Sequence, residues 1–283
     1  MTSEADVADE TRLDLRDVAR LRAHLALRRQ EMEKADQRHQ NGQLDFTERR
    51  MDEQKPGGTR AYILSHQLIT TSIENYSAVF ALMEGAGGVT PIAPLNLVRP
   101  AFECAFQALW ILDAYEPRER CLRALRVAHE DNKQRRNWNE AAMTLPFLTS
   151  EMRTMLKLGP GKVETAYRQE AAALGVPWNK VTDRIDTPRE LLRLSFARVD
   201  PDRVLGPLMV LCWRQLSGYQ HGHISAILGG STKTTQTDIP GGAQAVLTVD
   251  DSHLNGALQM AGLMQAWALG TFVRRCTRPS TPV

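Results

Sequence analysis

Between Thr59 and Met83 the apolar residues Ile63, Leu64, Leu68, Ile69, Ile73, Tyr76, Phe80 and Met83 recur at spacings of three and four. That is the period of a helix burying one face, and strands cannot present it. The Gly85-Ala-Gly-Gly88 run ends this helix. Leu95 to Tyr115 is nearly apolar all round, so it is expected at the centre of the fold, with Pro100 in its first turn or at a kink. Further helices are expected over 117–143, 150–158 and 162–174, the last two separated by Gly159-Pro160-Gly161. Two more start at cap-then-proline signals: Thr187 with Pro188 and Glu190, and Asp200 with Pro201, which opens an apolar helix reaching about Gln220. Polar residues 229–242 read as a loop, Ala245–Thr248 as one short strand, and 251–275 as a closing helix. The expected fold class is all-α, a helical bundle of about seven helices with a charged N-terminal arm.

The arm is expected to be helical from about Leu13 to Gln40. Its apolar stripe, Val18, Leu21, Leu25 and Met32, is near heptad spacing and is interrupted by Arg28. So narrow a stripe supports only light packing, a short hairpin or a weak dimer contact. Lys55-Pro56-Gly57-Gly58 reads as a linker. The chain therefore divides into arm and linker over 1–57, bundle domain over 58–277 and a disordered tail over 278–283, with residues 1–10 disordered too. Removing residues 1–55 is expected to leave the bundle folded.

Basic and acidic residues number 35 and 33, too even for the whole surface to act as a polyanion-binding field. Four cysteines lack any C-x-x-C spacing and read as reduced residues of a reducing compartment. The opening MTSEADVADE has no apolar signal core, so a cytoplasmic location is expected. Leu254–Val273 carries no formal charge, but Asn255, Gln259, Gln265 and three glycines make it a buried bundle helix rather than a membrane span. No membrane partner is expected.

Phosphate-binding glycine loops, HExxH and GxSxG are all missing, so the common nucleotide, zinc-protease and hydrolase chemistries have no support. What needs explaining is ionisable groups on apolar helices, because a buried charge is costly unless paired. Arg99, Glu103 and Gln107 form one stripe of the central helix. Arg214, Ser217 and His221 form another on the Asp200-capped helix, with Gly218 and Tyr219 beside it. If the stripes meet, Glu103 neutralises Arg214, and either the pair fixes helix register while Tyr219 and His221 cap a helix end, or a small polar site results. In such a site His221 is the acid or base and Arg214 the anion holder.

The stretch Arg214-Gln-Leu-Ser-Gly-Tyr-Gln-His221 resembles the R-x4-6-H motif of the HEPN superfamily. Arg99-Pro100, Glu103, Trp110 and the late Ser217-Gly-Tyr219-Gln-His221-Gly222 are similar to uncharacterised bacterial all-helical proteins. The HEPN resemblance implies a metal-independent endoribonuclease, or a degenerate relative, of stress or phage defence. It makes Arg214 and His221 catalytic, leaves Arg99, Glu103, Ser217 and Tyr219 as binding residues, and implies RNA and a second copy of the chain as partners, with no cofactor and no metal. Arg60/His66 and Arg123/His129 also fit R-x4-6-H, but Arg214/His221 sits late in an apolar helix as the superfamily's motif does. The alternative is a non-catalytic interaction protein whose buried ion pairs are structural. The arginines from Arg118 to Arg136 are interleaved with acids and read as a solvated, internally paired face. His221 and His223, with His253 far along the chain, are too few for a metal site.

Overall fold

The computed structural model of the chain describes residues 15–42, 46–85, 92–240 and 242–277. The disorder expected for residues 1–10 and 278–283 lies outside the described residues. Twelve helices are present among these residues: α1 (Leu15–Gln40), α2 (Glu48–Glu53), α3 (Gly58–Gly85), α4 (Ile92–Asp113), α5 (Pro117–Ala142), α6 (Ser150–Ala173), α7 (Trp178–Thr182), α8 (Thr187–Leu191), α9 (Ser195–Val199), α10 (Leu205–Gln220), α11 (Ile224–Gly229) and α12 (Asp251–Thr277). Seven of them have sixteen residues or more, and these make the all-α bundle. One antiparallel hairpin, β1 (Ser231–Ile239) and β2 (Gly242–Val249), rises between α11 and α12.

Helix α4 is central, packed against α3, α10 and α12. It buries Val98, Phe102, Phe106, Leu109 and Trp110, with Pro100 accommodated inside the helix. Each such large side chain contributes roughly 1.5–3 kcal/mol by leaving water. The Trp110 indole N–H, at 0% exposure, donates to Glu190 at 2.9 Å, which pins α8 to the core. A second, smaller cluster joins α5, α6 and α7 through Cys121, Leu125, Tyr167, Ala171 and Val181. All four cysteines are free.

Four local expectations change. Residues 150–173 form one helix through Gly159-Pro160-Gly161, because the Pro160 carbonyl, buried against α5, accepts from Asn132 Nδ2 at 3.2 Å. The cap of α8 is Asp186, whose carboxylate accepts from Arg189 N, rather than Thr187. Asp200 does not start a helix at once; its carboxylate reaches over a turn to accept the Leu205 amide at 2.8 Å, and α10 begins there. The Thr-rich stretch after Gly229, expected as a loop, is β1, since β-branched Thr suits a pleated ribbon as well as a loop.

The arm is not set apart from the bundle. Leu25, Met32 and Ala35 are buried, while the side chains of Val18 and Leu21 lie outside the described residues. Asp52, fully buried, accepts from Arg120 Nε and Nη2 at 2.7 and 2.5 Å and from the Tyr62 hydroxyl at 2.7 Å. Glu48 pairs with Arg275, whose other donors meet the carbonyls of Leu112 and Ala114. Arg49 joins Asp36 and Glu53. The Pro56-Gly57-Gly58 run is a tight turn: Gly57 has φ 75°, and a Cβ on Gly58 would stand 1.9 Å from the Asp52 carbonyl oxygen. Composition reports the turn there, but not that its two flanks pack together. Removal of residues 1–55 would strand Arg120 and Arg275 in the interior.

His39 sits in this junction, its Nε2 2.7 Å from Glu53 and its Nδ1 without a partner. Burial holds its pKa below the ordinary 6.5, Arg49 acts the same way and Glu53 opposes. The unfolded chain therefore takes the proton first as pH falls. The stability due to neutral His39 is present above about 6.5 and is lost as pH drops through the lower folded value. Thermal unfolding followed from pH 7.5 downward should show this loss, and His39→Gln should flatten it; an equally steep profile in the variant would assign the loss to other groups.

Candidate functional site

The two sequence stripes do not meet as expected. Glu103 bonds Arg99 Nη2 at 2.5 Å on its own helix and accepts from the Trp213 indole at 3.0 Å, and the Arg99 guanidinium lies 5.2 Å from the Trp213 ring centroid. Trp213, one residue before Arg214, is therefore the α10 residue that meets Glu103 and Arg99 of α4. A helix turns about 100° per residue, which swings Arg214 to the outside. Arg214 is exposed and makes no ion pair or hydrogen bond among the described residues. Arg99 is buried, with Nε and Nη1 unpartnered.

His221 follows the last residue of α10 and is also exposed, its amide closing on the Ser217 carbonyl at 3.1 Å. Ser217 is half-buried. Gly222, at φ 67°, reverses the chain so that its amide meets Tyr219 O at 3.0 Å and the His223 amide meets Gly218 O at 2.8 Å. Gly218 permits the return: a Cβ there would stand 2.7 Å from Ala226 Cβ of α11. Tyr219 points the other way, into the core. Its hydroxyl presses on Gly230 without a hydrogen-bond partner, and its ring lies 5.7 Å from that of His253. Burial, with the Asp250 charge adding to it, pushes the Tyr219 phenol up to about 12, and burial pulls His253 down. Asp250, accepting from Ser252 Oγ and the His253 amide, keeps its carboxyl below the usual range.

Beside the Arg214 face runs a groove of about 360 Å³ between α10 and α12, lined by Leu208, Leu211, Cys212, Gln215, His253 and Met260 among others. Burial pushes the Cys212 thiol up to about 12, so it does not supply a thiolate nucleophile near neutral pH. Arg214 and His221 are thus both exposed, Arg214 on α10 and His221 at its C-terminal cap. Ser217 joins them in part; Arg99 and Glu103 form a separate cluster with Trp213, and Tyr219 is a core residue. From sequence, Trp213 reads only as an apolar helix residue, and His253 only as a distant candidate metal ligand. An indole one residue from a motif arginine is the signal that could have marked the inward face.

The arginines of α5 are tied to the protein itself: Arg118 to the carbonyls of Leu174 and Gly175, Arg123 to Glu119 and Trp110 O, and Arg126 to the carbonyls of Asp183 and Arg184. They staple helices rather than offer a phosphate track. The rings of His221 and His223 are 6.0 Å apart, and no group of three or more metal-ligating side chains is assembled among the described residues. No family model, curated protein or solved structure matches the chain.

Glu103→Ala should lower stability by about 2 kcal/mol, under the 3–5 kcal/mol of a sealed pair because 32% of the Glu103 side chain is exposed. The loss arises from Arg99, which keeps its charge in the core, and not from Arg214. Urea unfolding of Glu103→Ala measures it; an unchanged midpoint would mean that water already solvates Arg99.

Proposed function

We propose that the chain is a HEPN-like, metal-independent ribonuclease of stress or phage defence, or a degenerate relative, with Arg214 and His221 as its reacting pair. The observation that supports this is the exposure of both side chains, Arg214 on α10 and His221 at its C-terminal cap, on a helix that also borders an apolar groove, with Arg214 free of structural work among the described residues. A histidine can take the proton of a ribose 2′-hydroxyl, which then attacks the adjacent phosphorus, and return a proton to the departing 5′-oxygen; an arginine offsets the charge on the phosphoryl oxygens. No metal is needed for that exchange. The partners are single-stranded RNA and a second copy of the chain, the latter meeting the exposed Leu208 and Leu211 of the same helix and Val204 just before it.

The test is incubation of the purified protein with single-stranded RNA in the presence of a chelator. Cleavage by the native chain and its loss in His221→Ala are expected. RNA left intact by the native chain, or cleaved as well by His221→Ala, would remove the assignment. The second reading would then hold: a non-catalytic interaction protein using the apolar outer face of α10 as its contact surface, its ion pairs structural.

A further inference from the structure

The distal half of the α5–α6 hairpin, residues 133–162, contributes nothing to either apolar cluster. Its two helices are joined there by polar contacts: Asn139 Nδ2 donates to Leu156 O at 2.8 Å, Asn132 Nδ2 to Pro160 O at 3.2 Å, and Arg153 to the carbonyls of Met143 and Leu145. The large apolar side chains face outward instead. Phe147 is 73% exposed, Met155 72% and Trp138 66%, and Leu145, Met152 and Leu158 are exposed with them. Single exposed apolar residues are ordinary, but six gathered at one end of a hairpin mark a surface that something covers.

Charge indicates what covers it. The ten residues Ala141–Ser150, which form the turn and its shoulders, contain no ionisable side chain. Behind them lie four basic residues with no ion pair among the described residues, Arg135, Arg153, Lys157 and Lys162, against two acids, Glu140 and Glu151, a surplus of two positive charges, while Lys133 and Arg136 are already paired with Glu130 and Glu164. Lys157 and Lys162 make no ion pair among the described residues. A second copy of this tip would oppose one such surplus with another. A nucleic acid would match the charge but leave four aliphatic or thioether groups, Leu145, Met152, Met155 and Leu158, with nothing to stack on. An uncharged apolar tip, an indole set back from it and a basic collar behind are the order of layers met on entering an anionic bilayer: acyl chains, interface, phosphates.

We propose that the α5–α6 tip docks on an anionic phospholipid surface, its Leu145–Phe147 turn entering the headgroup boundary and its collar meeting the phosphates. None of the described helices is long and apolar enough to cross a membrane, so the contact is peripheral. This departs from the expectation of no membrane partner, which rested on spanning segments alone.

The experiment is sedimentation of the full chain with vesicles of phosphatidylcholine, with or without phosphatidylglycerol, at low and high salt. Binding should favour the anionic vesicles by about tenfold or more and weaken as salt rises. The exposed double substitution Leu145→Glu/Phe147→Glu should abolish it with circular dichroism unchanged, and Lys157→Glu/Lys162→Glu should weaken it without touching the apolar tip. Absence of binding, equal binding to both vesicle types, or full binding by the Leu145/Phe147 variant would overturn the proposal. So would an RNA oligonucleotide bound in place of vesicles and lost in that variant. RNA cleavage measured on the same variants separates this outcome from the α10 reading, because neither pair lies near Arg214 or His221 in the fold.

Discussion

Asp52→Ala should destabilise the protein by about 3–5 kcal/mol, the range found when one partner of a buried pair is removed and the other keeps its charge in the interior. Two groups lose their partner at once: Arg120, held through both Nε and Nη2, and the Tyr62 hydroxyl. Arg120 retains the carbonyls of Ala114 and Tyr115, which offset part of the loss but carry no full charge. Urea unfolding measures the effect. The exposed Arg29–Glu33 pair is the control, and Glu33→Ala should move the midpoint by under about 0.5 kcal/mol. For the same reason a chain starting after residue 55 should lose far more helical signal than the missing helices account for. A stably folded truncated chain, or an Asp52→Ala cost near 1 kcal/mol, would show that water enters the junction and solvates Arg120.

The second large effect is catalytic. General acid–base help from a positioned side chain is worth about 10²–10⁴ in rate, so His221→Ala should drop RNA cleavage by that factor under saturating substrate. Its thermal unfolding should hardly change, since the ring is exposed and the backbone contact to Ser217 O survives the substitution. Arg214→Ala is an equally clean probe, because Glu103 is neutralised by Arg99 and not by Arg214. Arg214→Lys keeps the charge but loses the planar fork that grips two phosphate oxygens, and should recover only part of the activity. Tyr219→Phe gives the contrast: its hydroxyl is buried and unpartnered, so stability should hold or rise while cleavage is unchanged. Should Tyr219→Phe lose cleavage and His221→Ala keep it, the roles given to the two residues would be reversed.

The long helices were legible for two reasons: in α3 the apolar residues repeat with one period over more than twenty positions, and α4 is an apolar run too long for a strand and apolar on every face. The hairpin was half legible. Ala245, Val246 and Leu247 advertise β2, but β1 is Thr and Gln, equally at home in a loop. In the candidate site, sequence placed Arg214, Ser217 and His221 on one face of α10. It could not fix the rotation of that face about the helix axis, which depends on whether Trp213 or Arg214 finds Glu103. Packing decides for Trp213, since its indole stacks on the Arg99 guanidinium and offers one donor to Glu103, whereas a second guanidinium would bring another charge beside Arg99. The arm was misread for a related reason: Asp52 and Arg120 stand 68 positions apart, and no local pattern announces a pair formed across such a distance.

The pairing of Glu48 with Arg275 spans 227 positions. On a ribosome, Glu48 and Asp52 emerge well before Arg120 and long before Arg275, so the acidic half of the junction waits in water while most of the chain is made. Contacts so distant along the chain slow folding and leave apolar surface open in the meantime. The nascent protein therefore has a long interval in which α3 and α4 can collapse while α12 is still being synthesised. The exposure of its unfinished core to aggregation should be concentrated in that interval and should end when α12 docks.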